Sequence, residues 1–191
     1  MIDIVKVDKE LYLQQIAFND ADEIFRLIDA NRDFLGKWLP FVKVTKSVKN
    51  TLAFIEDIQK SYSRELVFTI TYQGKITGLI GFKDIDRGNR KFEIGYWITS
   101  QNEGNGIVTR CCKTCIDLAF DKMKMNRVQI KCGVGNVRSI NIPKRLNFHF
   151  EGIERSGELH NNKFIDLEVY SMLEREWLKM GKSNKIKTFE R

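Results

Sequence analysis

Two glycines, Gly104 and Gly106, stand within Gln101-Asn102-Glu103-Gly104-Asn105-Gly106-Ile107-Val108, directly before an apolar pattern of helical period. Glycine lets a backbone turn closely around a ligand. The amides that open a helix carry a partial positive charge of about +0.5, which suits a phosphate. The spacing is not a dinucleotide fingerprint, because the third glycine would fall at Thr109, and no Gly-Lys-Ser/Thr follows to make a Walker loop. On residues alone, the same pair also serves as a simple tight turn.

Cys112 and Cys115 form a C-x-x-C, the second arrangement with chemical potential. A structural zinc site needs about four ligands, and His149 and His160 lack the paired spacing. Cys111, Cys112 and Cys115 fall on the apolar side of the long helical pattern, where cysteine packs as a small hydrophobe. Core packing is therefore expected, with no metal.

The elements around these residues follow from their periods. Leu11 to Phe18 reads as a strand, and Asp20 with Glu23 makes a capping-box start for a helix to Asn31 that buries Ile24, Leu27 and Ile28. After the turn at Leu35 to Pro40, Val48, Leu52, Ile55, Ile58 and Tyr62 mark a second helix. Leu66–Tyr72, Ile76–Lys83 and Lys91–Ile98 form an antiparallel meander. The helix after Gly106 runs to Lys124 with Thr109, Lys113, Asp117 and Asp121 on its polar side. Arg127 to Cys132 is a strand that must pair parallel with the one before the helix. Asn136 to Leu146 is a helix bent or started late by Pro143. Strands around Phe148–Ser156 and Phe164–Met172 and a helical segment at Glu174–Leu178 close the chain. The expected fold is α/β (α+β): a mixed, mostly antiparallel sheet of about seven strands with helices on both faces.

A chain of 191 residues, 42% hydrophobic and 30% charged, with Pro40 and Pro143 as its two prolines, fits one globular domain. No apolar run reaches the ~18 residues of a membrane helix, and Asp3, Asp8 and Glu10 exclude a signal peptide, so the expected location is cytoplasmic. Lys179, Lys182, Lys185, Lys187 and Arg191 against Glu190 place +4 of the net +7 after Leu178. The domain is drawn at 1–178 and a basic tail at 179–191; direct nucleic-acid binding is not expected, since the body has no basic stripe.

Gln101, Gly104 and Gly106 match the signature Gln/Arg-x-x-Gly-x-Gly/Ala, and the sequence resembles the GNAT superfamily of N-acetyltransferases. Glu93-Ile94-Gly95-Tyr96-Trp97-Ile98, Asn126-Arg127-Val128, Val134-Gly135-Asn136-Val137-Arg138-Ser139, Arg145-Leu146-Asn147-Phe148 and Glu151-Gly152 look like the RimJ/RimL-type branch, which contains enzymes that acetylate amino termini of ribosomal proteins. The likeness runs in order from residue 10 to 177. It departs at Asn147, where the family has glycine but asparagine also suits a left-handed helix end, at Asn105, and at Arg110, which has no account from sequence.

The resemblance implies direct attack of an amine on acetyl-CoA in a ternary complex. It places the coenzyme in a splay between the strands ending at Ile98 and starting at Arg127. Backbone groups of Trp97, Ile98 and Thr99 would hold the pantetheine, and amides from Glu103 to Val108 the diphosphate. Asn136 would bond a pantetheine amide, and Ser139 would stabilise or protonate the leaving thiolate; from local sequence Ser139 is equally a helix N-cap. Glu158 matches the glutamate that RimL-type enzymes use through water as base, and Glu93 the strand glutamate of histone-acetylating relatives. Read without the resemblance, Glu93 is a solvent-facing strand residue and Glu158 a polar hairpin flank. Trp38, Tyr96 and His160 are candidates to line the acceptor pocket.

The implied acceptor is the α-amine of a protein or peptide, such as a ribosomal protein N-terminus, with polyamines and aminoglycosides as alternatives. A homodimer is expected from the branch. The rival reading is a non-catalytic module that binds CoA or docks on the ribosome.

Overall fold

The computed structural model describes residues 4–61 and 64–181 and the backbone of 188–189. The chain opens with β1 (Ile4–Lys6) and β2 (Leu11–Gln15), an antiparallel pair, of which β1 was not expected. The first expected strand ends early because Asp20 Oδ2 accepts from the Ala17 N–H at 2.8 Å and bends Phe18–Asp20 into a 3₁₀ turn. The expected Asp20–Glu23 box does not form, and Glu23 instead holds Arg26 through a side-chain fork.

Four helices follow in place of two: α1 (Ala21–Ala30), α2 (Arg32–Leu35), α3 (Phe41–Val44) and α4 (Val48–Lys60). In α4 the buried stripe is Thr51, Ile55 and Ile58, a stripe that leaves Leu52 exposed one position off it. Tyr62 lies outside the described residues.

The meander forms as expected, with β3 (Leu66–Tyr72), β4 (Lys75–Asp86) and β5 (Lys91–Ile98) paired antiparallel. Next come α5 (Ile107–Asp121), β6 (Arg127–Gly133), α6 (Val137–Arg145), β7 (His149–His160), β8 (Lys163–Leu173) and α7 (Glu174–Lys179). Within the stretch read as a basic tail, β9 (Thr188–Phe189) pairs antiparallel with β1. The sheet order is β7-β8-β6-β5-β4-β3-β2-β1-β9.

Strand alternation divides the core into two. On one face Phe68, Ile80, Phe82, Phe92 and Ile94 pack with α5, α6 and α7; on the other, Leu79 and Trp97 pack with the layer from α1 to α4. Cys111, Cys112 and Cys115 are fully buried on the α5 side, as expected of small hydrophobes. Asp117 corrects the assigned polar side of α5. It is buried and its Oδ1 accepts from Trp177 Nε1 at 2.6 Å, fastening α7 to α5.

The sheet splits between two neighbouring strands. β5 and β6 pair in parallel only where Lys91–Glu93 meets Arg127–Gln129. Beyond that, Ile94–Ile98 and Ile130–Gly133 part, while β6 stays paired with β8 to its end.

Candidate active site

A cavity of about 530 Å³ opens beside this gap, walled by the end of β5, the start of α5, α6 and the Phe34–Leu39 segment. Thr99 begins the loop that forms one end. Its N–H donates to Thr77 O at 2.9 Å, and its Oγ1 accepts from Asn102 Nδ2 at 2.8 Å. Asn31, at the end of α1, adds a clamp that the sequence reading missed. Its Oδ1 accepts from both the N–H and the Oγ of Ser100, at 3.1 and 2.9 Å.

Gly104 and Gly106 adopt φ of +78° and +66°, in the left-handed region, with open space where a Cβ would stand. Their requirement is conformational. No side chain caps α5, so its first-turn amides have no partner within the helix, and Ile107 and Val108 of that turn help to line the cavity. The Glu103 N–H donates to Ser100 O at 3.3 Å and is therefore already engaged within the loop. Glu103 also pairs by its carboxylate with Arg138 of α6, and Arg138 lies 6.0 Å over the Phe34 ring. Loop, α6 and α2 thus meet across the cavity mouth.

α6 brings Asn136 and Ser139 to the cavity. Its N-cap is Asn136, whose Oδ1 accepts from the Ser139 N–H at 3.3 Å; Ser139 is therefore a first-turn residue, not the cap. Ser139 Oγ lies 3.2 Å from Tyr96 Oη and 3.2 Å from Cys132 Sγ. Burial pushes the Cys132 thiol up to about 11 and the Tyr96 phenol well above its ordinary value, so both stay protonated. Pro143 falls inside α6, neither delaying its start nor ending it. Asn147 takes φ of +57° at the helix end, with Phe148 N–H on Pro143 O at 3.0 Å and Asn147 N–H on Lys144 O at 3.1 Å, a complete Schellman motif.

The cavity gathers Trp38, Tyr96, Trp97, Ile98, Asn136 and Ser139 together with Glu103, Gly104, Gly106, Ile107 and Val108. Trp38 presses against β6: a Cβ on Gly133 would meet its ring at 3.1 Å. Thr99, Gln101 and Asn105 shape the loop without lining the cavity.

Glu93, Glu158 and His160 also lie outside the cavity lining. Glu93 is 6% exposed, against the expectation of a solvent-facing residue. It shares the face that carries Trp97, and Lys83 Nζ reaches its Oε1 at 2.7 Å while Lys131 Nζ stands 4.0 Å from Oε2. Glu158 sits half-buried on β7 opposite Ile165, near enough for its charge to act on Lys83. The buried His160 has Nε2 3.0 Å from Asn161 Nδ2, which assigns Nε2 as acceptor and leaves Nδ1–H without a partner. Arg110 has a structural account as well: it pairs with Asp8 of the β1–β2 turn and lies 5.8 Å over the Tyr72 ring. No group of three or more His, Cys, Asp or Glu among the described residues is arranged to hold a metal ion.

Comparison with known proteins agrees with this geometry. Residues 10–149 match the model of the acetyltransferase (GNAT) domain. The chain is 37% identical to the putative ribosomal N-acetyltransferase YdaF of Bacillus subtilis, over 90% of this chain and 96% of that one. It is 27% identical to the ribosomal-protein-serine acetyltransferase of Escherichia coli, over 91% and 98%. The crystal structure of the microcin C7 self-immunity acetyltransferase MccE, in complex with acetyl-CoA and AMP, superposes with a TM-score of 0.84 at 30% identity, covering 88% of this chain and 94% of that one. A splayed sheet, an uncapped helix after a glycine turn and a family model spanning most of the chain lead to one statement: this protein belongs to the GNAT family and is an N-acetyltransferase.

Proposed function

We propose that the protein transfers the acetyl group of acetyl-CoA to the α-amine of a protein or peptide by direct attack in a ternary complex. One observation carries this reading: the uncapped start of α5 and Ser139 line the same cavity beside the β5–β6 gap. The amides from Gly104 to Val108 hold the diphosphate. Backbone groups of Trp97 and Ile98 hold the pantetheine with Asn136, and the thioester reaches Ser139. As the C–N bond forms and the C–S bond breaks, Ser139 Oγ–H donates to the departing thiolate.

The acceptor's own acidity supports an α-amine. Neutralising a lysine of pKa about 10.4 at pH 7 costs about 4.6 kcal/mol, against about 1–1.4 for an α-amine near 7.7–8.0. A water-mediated carboxylate base suffices for the second. Glu158 is assigned that role, because the Glu93 carboxylate is already engaged by Lys83 Nζ at 2.7 Å, with Lys131 Nζ 4.0 Å away. The names of the YdaF and Escherichia coli relatives support a ribosomal protein as the acceptor.

The test is thiol release from acetyl-CoA with peptides beginning Ser, Ala or Met, beside spermidine and an aminoglycoside. Turnover on a peptide N-terminus above the polyamine and aminoglycoside supports the assignment. Preference for either small amine overturns the acceptor, and no turnover with any amine overturns catalysis.

A further inference from the structure

Pro143 lacks the N–H that an α-helix would offer to the carbonyl four residues earlier, which is that of Ser139. A donor from outside the helix meets this carbonyl: Tyr96 Oη lies 3.2 Å from Ser139 O. The same oxygen lies 3.2 Å from Ser139 Oγ, so one phenol bridges the main chain and side chain of one residue. Cys132 Sγ, 3.2 Å from Oγ, closes the other side. Tyr96 has one proton to give and lone pairs to accept with. With that proton on the Ser139 carbonyl, its oxygen accepts from Ser139 Oγ and holds the hydroxyl in place. With that proton turned onto Oγ, the Ser139 proton is released toward the cavity.

We propose that Tyr96 is a positioning residue for Ser139, docked on the carbonyl that Pro143 leaves free, and that it turns its hydroxyl onto Oγ as Oγ–H turns to the leaving thiolate. This rests on the role given to Ser139 above. No covalent bond to Tyr96 forms or breaks; two hydroxyl hydrogens rotate, and the negative charge on sulfur is met by a chain of two aligned donors in place of one. Burial keeps the phenol protonated throughout. The geometry also gives Pro143, which touches no reacting atom, a reason to interrupt the hydrogen bonds of α6.

The experiment is steady-state kinetics on the full chain for Y96F, S139A, the double variant and P143A, with coenzyme A binding measured by calorimetry. Y96F is expected to lower kcat about tenfold, the scale of one hydrogen bond, while the KM for acetyl-CoA moves less than about twofold. In the S139A background Y96F changes kcat by less than about twofold, because it acts through Ser139. P143A supplies a main-chain donor to the Ser139 carbonyl and lowers kcat by about two- to fivefold, a loss that disappears when Phe replaces Tyr96. Full kcat in Y96F overturns the proposal, as do losses that multiply in the double variant or a rise in acceptor KM alone. If S139A itself retains full kcat, the role of Ser139 in the proposed function falls, an outcome distinct from multiplied losses.

Discussion

Lys83 and Glu93 face each other across the β4–β5 ladder, with Nζ 2.7 Å from Oε1. Burial works against the Lys83 charge, but the adjoining carboxylate outweighs it and holds the ammonium above its ordinary value. A raised folded-state value stabilises the fold below the unfolded value of 10.5 and loses that contribution as pH rises through the folded one. K83M is expected to cost about 1–2 kcal/mol at pH 8, since Lys131 still stands near the buried carboxylate. Urea unfolding at pH 8 and pH 11 checks it: the gap between wild type and variant narrows at the higher pH.

Glu158 and Glu93 separate by pH profile. E158Q is expected to remove the acidic limb of kcat/KM and lower it by about 10²–10⁴, as for loss of a general base. E93Q keeps the limb, because its carboxylate is tied to Lys83. Rate profiles from pH 5 to 9 on a Ser-initial peptide read both variants.

The ion pair of Glu103 with Arg138 spans the mouth of a cavity that Lys37 and Arg145 also line. A phosphate entering there meets one carboxylate among three cations. E103Q is expected to tighten coenzyme A binding about two- to fivefold and R138Q to weaken it by a similar factor, both effects shrinking from 0.05 to about 0.5 M salt. Calorimetric titration at the two ionic strengths measures this.

The indole of Trp177 donates to buried Asp117 at 2.6 Å, the fastening between α7 and α5. W177F removes the donor and one of the two fused rings of a buried side chain, and is expected to cost about 1–3 kcal/mol. Thermal unfolding should show the loss, with coenzyme affinity at low temperature unchanged because neither residue lines the cavity.

Much of the fold was legible because its constraints are local. A left-handed turn before a helix writes itself as glycine at Gly104 and Gly106, and the meander shows in alternation from Leu66 to Ile98. Asn147 could be read as a left-handed helix end for the same reason. The short β1, α2 and α3 carry too few residues for a period to emerge. Glu93 was misread because alternation reports that it points away from Phe92 and Ile94, without reporting the lysines that cover the opposite face. Asp117 was misread because helical phase identifies a face but not Trp177, which arrives from α7. The Tyr96–Ser139 contact joins residues on two elements, and nothing local to either announces it. Carry-over by resemblance brought Ser139 and Asn136 into the cavity, while Glu93, Glu158 and His160 stand outside its lining.

The amides that open α5 as the diphosphate grip are tested most directly by titrating the protein with coenzyme A and with pantetheine, which lacks the diphosphate and the nucleotide. The expected result is one coenzyme A bound per chain, with pantetheine at least about 100-fold weaker. No heat with coenzyme A, or equal affinity for pantetheine, contradicts the account.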